Sequence, residues 1–249
     1  MKDNKKIYVV GLGPSGLFEM TNRAKEVLNS CDMIVGYTVY IDLIKEDFKD
    51  KIFLATGMKQ EVDRCKLALD KALEGHKVAM VCSGDAGVYG MAGIMHEVAR
   101  EYEEIEIEVV PGVTAACSGA AILGAPLIHD FVLISLSDLL TPWEKIEKRI
   151  ALASEGDFVI CLYNPSSKKR HDYLEKACKI MMNHKSPDTL CGYVKHIGRE
   201  GEMSRVCTLK ELMHASVDMF TTVIIGNSET KLIKGKMVTP RGYEKRYEV

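Results

Sequence analysis

Three segments near the start of the chain share one pattern: an apolar, β-branched run, a glycine-containing turn, and then helix-like spacing of apolar residues. Residues 7–10 lead into Gly11-Leu-Gly-Pro-Ser-Gly16, residues 78–82 into Ser83-Gly84-Asp85, and residues 105–110 into Pro111-Gly112-Val113-Thr114. Strand–helix alternation over the first 115 residues predicts a largely parallel α/β sheet. Open sheets of this kind seat small ligands in the crevice beyond the carboxyl ends of their strands. Three such turns predict a nucleotide-sized guest.

The totals narrow the field. At 249 residues the chain can hold one large or two medium domains with a real core. A net charge of −2 argues against broad nucleic-acid binding, which needs a basic surface. No apolar run approaches membrane-spanning length, and the Met-Lys-Asp-Asn-Lys-Lys start lacks a signal-peptide core. The eight cysteines are scattered without a C-x-x-C pair and read as reduced thiols, with no metal site. The expected compartment is the cytoplasm.

Strands are predicted at 7–11, 32–36, 52–55, 77–82 and 105–110. The clearest helix is 60–74, with Val62, Cys65, Leu69 and Leu73 as its apolar stripe and Glu61, Asp63 and Lys66 in water. Further strands are predicted at 131–136, 157–163, 189–196, 204–208 and 219–226, with helices at 142–153 and 168–182. Three strands crowded into 189–226 predict a mixed sheet with antiparallel pairs. The expected organisation is therefore two α/β lobes, 1–120 and 121–249, with a cleft between them and a seam in the small-residue segment 117–129.

Gly11-x-Gly13-x-x-Gly16 spells the dinucleotide fingerprint, but Asp32 opens the second strand instead of closing it, and Pro14 occupies the turn. Asp85, among glycines, suits an α-amino group or a ribose hydroxyl, or else caps the following helix. Thr114 offers a hydroxyl beside backbone N–H groups at a helix start. None of the three turns carries a basic residue for phosphate. Amino acid plus nucleoside without phosphate describes S-adenosylmethionine. In the second half, Thr141-Pro142 with Glu144 reads as a helix start. Lys168-Lys-Arg170 reads as an acidic-ligand contact or a solvated first helical turn.

Gly11-Leu-Gly-Pro14, Gly84-Asp85 with Tyr89-Gly90-Met91, Val110-Pro-Gly-Val-Thr114-Ala115-Ala116 and Thr221-Thr222-Val223 together resemble the tetrapyrrole (corrin-pathway) methyltransferases. His129-Asp-Phe131, Ser135-Leu-Ser-Asp-Leu-Leu-Thr-Pro-Trp143, Leu162-Tyr-Asn-Pro165 and Pro240-Arg-Gly-Tyr243 resemble the branch that methylates C17 of precorrin-3B or cobalt-factor III. The resemblance spans nearly the whole chain; Ser15 departs from the usual Gly-Pro-Gly turn.

It implies a two-lobed fold, a homodimer, and methyl transfer from S-adenosylmethionine coupled to ring contraction in cobalamin biosynthesis. It assigns Gly84, Asp85, Val88, Thr114, Ala115, Leu162, Tyr163, Val194 and Thr222 to the donor. Gly13, Pro14, Ser15, Lys168, Arg170 and Arg241 are candidates for the substrate and its carboxylates, with Lys169 and Arg199 beside them. His129 is the candidate acid/base for ring contraction, because its ordinary pKa lies near neutrality. A cobalt-bearing substrate would also offer His129 an axial position. The competing readings are methylation at another ring carbon, an NAD-dependent oxidoreductase, and a non-catalytic tetrapyrrole-binding protein.

Overall fold

The computed structural model describes residues 5–167 and 170–243. It divides into two compact units, Met1–Ala115 and Ala116–Val249. The division falls five residues before the expected 120/121 boundary. A helix begins at Ala115 and runs to Leu123, so the small-residue segment is helix and not linker.

The first unit is a five-stranded sheet of β1 (Lys5–Gly11), β2 (Met33–Tyr37), β3 (Ile52–Thr56), β4 (Val78–Cys82) and β5 (Ile105–Val110). Its order is β3-β2-β4-β1-β5, and every pairing is parallel. Helices α1 (Asn22–Ser30), α2 (Thr38–Asp42), α3 (Glu61–Leu73) and α4 (Ala92–Val98) cover it. Ile7 and Val9 pack with Cys65, Leu69 and Met95 on one face, while Val10 packs with Ala24, Leu28 and Ile44 on the other. Burial on both faces is why β2 and β4 read as unbroken apolar runs, whereas β5 at the sheet edge alternates Ile and Glu.

The α3 stripe is rotated from the expectation. Its buried residues are Arg64, Cys65, Ala68, Leu69 and Ala72, whereas Val62 is 46% exposed and Leu73 37%. Two alanines let the helix approach the sheet, and that contact outweighs the larger aliphatic side chains at the margins.

The second unit begins within α5 (Ala115–Leu123). It continues through β6 (Gly124–Ala125), β7 (Phe131–Ser135), α6 (Trp143–Glu155), β8 (Val159–Tyr163), α7 (Tyr173–Met181), β9 (Leu190–Lys195), β10 (Met203–Thr208), α8 (Leu209–Leu212), β11 (Thr221–Ile225), β12 (Lys231–Ile233) and β13 (Lys236–Val238). Its main sheet, β10-β9-β11-β8-β7, is mixed: β7 and β8 run parallel, and the other pairs are antiparallel. Ile146 and Ile150 of α6 and Leu174 and Cys178 of α7 fill one face with Ile160, Leu162 and Val223. On α5, a Cβ at Gly119 would come within 3.7 Å of Thr222, and a Cβ at Gly192 of β9 would lie 2.7 Å from Leu123. The small residues allow this close helix–sheet approach.

Two local expectations fail. Helix α6 starts at Trp143 with Pro142 in the cap position, so Thr141 lies one residue too early to cap it. Helix α7 starts at Tyr173, which leaves Arg170 in the preceding loop and not in a first helical turn. Lys168 and Lys169 lie outside the described residues.

Candidate functional site

Because β4, β1 and β5 are neighbours, the three glycine turns stand side by side at the carboxyl edge of the parallel sheet. They interlock through backbone. Gly13 donates to the Gly84 carbonyl at 3.0 Å, and Gly84 donates back to Gly13 at 2.8 Å. A Cβ on Gly112 would sit 2.2 Å from the Gly84 carbonyl oxygen and 2.6 Å from Gly11, so neither turn tolerates a side chain there. Thr21, the α1 cap, donates to the Pro111 carbonyl at 3.3 Å and ties the first turn to the third.

The dinucleotide motif thus has a packing explanation. Residues 12–21 form a loop, and α1 begins only at Asn22, so no helix N-terminus meets Gly13–Gly16 to hold a pyrophosphate. Asp32 accepts from the Lys77 amide at the amino end of the sheet, far from a ribose position. Gly13 and Pro14 are buried and Ser15 is half-buried.

Asp85 does not cap α4, which begins at Ala92. Its Oδ1 accepts from the Gly87 amide at 2.8 Å and its Oδ2 from the Gly112 amide at 2.9 Å, so the carboxylate joins the second and third turns. Val88 in the same loop, and Thr114 and Ala115 in the third turn, are half-buried. Gly84 has φ of +68°, and a Cβ there would lie 3.8 Å from Thr114 and Ala115. Burial pushes the Cys82 thiol up to about 12, so a neutral sulfur precedes this loop.

In the second unit the register aligns the predicted donor residues. Val194 of β9 pairs with Thr222 of β11, and Leu162 of β8 with Val223, so Tyr163, Thr222 and Val194 lie at one level across three adjacent strands. The Tyr163 hydroxyl oxygen accepts from the Ala116 amide at 2.7 Å and satisfies the first turn of α5. The strings that follow β7 and β8 brace one another. Asn164, with φ of +52°, donates from Nδ2 to Ser135 Oγ at 3.0 Å. Arg170 donates to Ser137 Oγ at 2.5 Å and pairs with Asp138 at 3.5 Å, and Tyr173 donates to Asp138 at 2.6 Å.

His129 and Arg241, 112 residues apart in sequence, line a single cavity of about 460 Å³ with Asp130, Asp157 and Ser228. Both are exposed. Phe131 pairs with Val159 and Ser135 with Tyr163, so His129 precedes the Phe131 end of β7 and Tyr163 lies level with the other end. The two levels are separated by roughly 13 Å of strand. At the cavity wall, Asp157 accepts from Ser228 Oγ at 2.6 Å and pairs with the buried Lys185 at 3.2 Å. Burial alone would raise the Asp157 carboxyl, but these partners outweigh it and hold it below the usual range. Arg199 stacks 5.9 Å from the Phe220 ring.

A family model for Tetrapyrrole (Corrin/Porphyrin) Methylases matches residues 6–213. The chain belongs to this family. Among curated tetrapyrrole methylases it is 47% identical to a probable cobalt-factor III C(17)-methyltransferase of Salmonella typhimurium, covering 94% of this chain and 98% of the relative. It is 39% identical to a precorrin-3B C(17)-methyltransferase of Sinorhizobium sp, covering 95% and 96%. A crystal structure of the methyltransferase CobJ superposes with a TM-score of 0.87 at 34% identity, over 94% of this chain and 99% of that one.

The methyl donor implied by the family is S-adenosylmethionine. The residues present fit its chemistry at two points, a half-buried carboxylate at Asp85 and a half-buried hydroxyl residue at Thr114.

Sequence reasoning missed the buried Arg64, the Asp157–Lys185 pair, and the small sheet β12-β13-β6. The hairpin had a signal. Lys234-Gly235 is a two-residue turn with φ of 49° and 77°, set between short charged strands.

Proposed function

We propose that this chain transfers the methyl group of S-adenosylmethionine to C17 of cobalt-factor III, with ring contraction, in cobalamin biosynthesis. The observation that carries the reading is the 47% identity, over almost the full length of both chains, to the Salmonella typhimurium relative of that name. The weaker 39% identity to the precorrin-3B enzyme favours the cobalt-bearing substrate over its metal-free counterpart.

The donor supplies a methyl group on a sulfonium; the chain supplies position. Displacement at that carbon gains most from proximity and alignment. Asp85 and Thr114 would orient the amino-acid and ribose parts, and Gly84, Val88 and Ala115 would line them. Leu162, Tyr163, Val194 and Thr222 would surround the adenosine. Gly13, Pro14 and Ser15 would border the substrate, and Arg170 and Arg241 would face its carboxylates, with Lys168 assigned there from sequence alone. Arg170 already spends part of its fork on Asp138 and Ser137, which leaves Arg241 the freer cation of the two. His129 would serve the proton steps of ring contraction. A cytoplasmic homodimer completes the proposal on the resemblance alone.

Isothermal titration separates this reading from its rivals. S-adenosylhomocysteine and cobalt-factor III should both bind, and NAD should not. Binding of NAD, or binding of the tetrapyrrole by a protein that does not bind S-adenosylhomocysteine, would contradict it.

A further inference from the structure

Arg64 carries a buried positive charge whose partners are all neutral. The residue is 4% exposed. Its Nε donates to Thr56 Oγ1 at 2.6 Å and its Nη2 to the Gly57 carbonyl at 2.8 Å. Nη1 is turned to the Met91 sulfur at 3.7 Å, and the Tyr37 ring lies 5.9 Å from the guanidinium carbon. Among the described residues no carboxylate forms an ion pair with it. Burying an ion is unfavourable unless an opposite charge lies beside it, and arginine is the residue least able to escape by losing its proton.

The location is informative. Tyr37 ends β2, Thr56 ends β3, and Met91 closes the loop that opens with Ser83-Gly84-Asp85 after β4. These three strands are neighbours, so the guanidinium lies at the carboxyl edge of the parallel sheet, next to the loop assigned to the donor. Residues 57–60, which lead from β3 into α3 and include the Gly57 carbonyl that it bonds, are all exposed. A thioether is a weak acceptor on a flexible side chain, and it occupies the one arm of the fork without an oxygen partner.

We propose that Arg64 is a carboxylate-binding site. A ligand carboxylate displaces the Met91 sulfur from Nη1 and supplies the missing counter-charge, in the planar geometry that a guanidinium matches. The inference rests on the functional reading above, in which both ligands carry carboxylates: one on the methionine part of the donor, several on the tetrapyrrole.

Arg64→Met and Arg64→Lys test it by calorimetric titration with S-adenosylhomocysteine and, separately, with cobalt-factor III. In Arg64→Met one of these ligands should bind at least tenfold more weakly, with partial recovery in Arg64→Lys. The thermal midpoint of the free Arg64→Met protein should stay at or above that of the wild type, because an uncompensated charge has been removed. Which ligand weakens identifies whose carboxylate is bound. Wild-type affinity for both ligands in either variant overturns the proposal, as does equal weakening of both with a lowered midpoint, the mark of a structural brace. If Arg64→Met fails to fold, Arg64→Lys decides alone, since it keeps the charge but not the fork. Failure of the unmodified protein to bind either ligand would instead sink the functional reading, and this site with it.

Discussion

Arg64 was invisible in the sequence because the periodicity of α3 offers two stripes one position apart. Cys65 and Leu69 belong to both and are buried, but the larger aliphatics at the ends of the expected stripe, Val62 and Leu73, are exposed. Small residues at Ala68 and Ala72 gave no comparable signal, yet they set which side packs. His129 shows the opposite limit. Its chemistry was legible from residue type and from its neighbours in the chain, but its distance from the donor row depends on strand register. Since it precedes the far end of β7, methyl transfer should not need it. His129→Ala is expected to leave the methylation rate within about twofold of wild type and to slow ring contraction by about 100-fold, the usual range for loss of an acid/base group. Following the two steps separately by mass and absorbance would check this. Equal slowing of both steps, or unimpaired contraction, would remove the proposed role.

At the level of elements, the inner strands β2, β4 and β8 were legible because burial on two faces leaves continuous apolar runs. The convergence of the three glycine turns was legible only in part. Their positions after strands could be read, but that β4, β1 and β5 are neighbours is a property of topology, and so is the contact among Gly11, Gly84 and Gly112. The dinucleotide-like spacing of the first turn arises from this backbone packing. Gly112→Ala should therefore destabilise by about 2–3 kcal/mol, at the upper end for overpacking because backbone cannot step aside. Gly93, inside α4, is the control: a Cβ there meets nothing within 4 Å. Gly93→Ala should stabilise by roughly 0.5–1 kcal/mol through helix propensity. Urea unfolding of the two variants checks both signs. Equal effects would mean that the turns are not packed as described. Missed elements were short ones: β6, β12 and β13 have two or three residues each, too few for a period to register.

For the whole molecule, one unit is built on a parallel sheet with three interlocked glycine turns and the other on a mixed sheet, and the chain belongs to the tetrapyrrole methylase family. No helix among the described residues is long and apolar enough to cross a membrane. Family membership leaves the position of methylation open, because the same fold serves several ring carbons and mass alone does not separate them. The most direct test is to incubate the protein with cobalt-factor III and S-adenosylmethionine labelled with carbon-13 at the methyl group, then record the NMR spectrum of the isolated product. The account predicts one labelled methyl, attached to C17 of a contracted macrocycle. A label on any other carbon, or an unlabelled tetrapyrrole recovered unchanged, would contradict it.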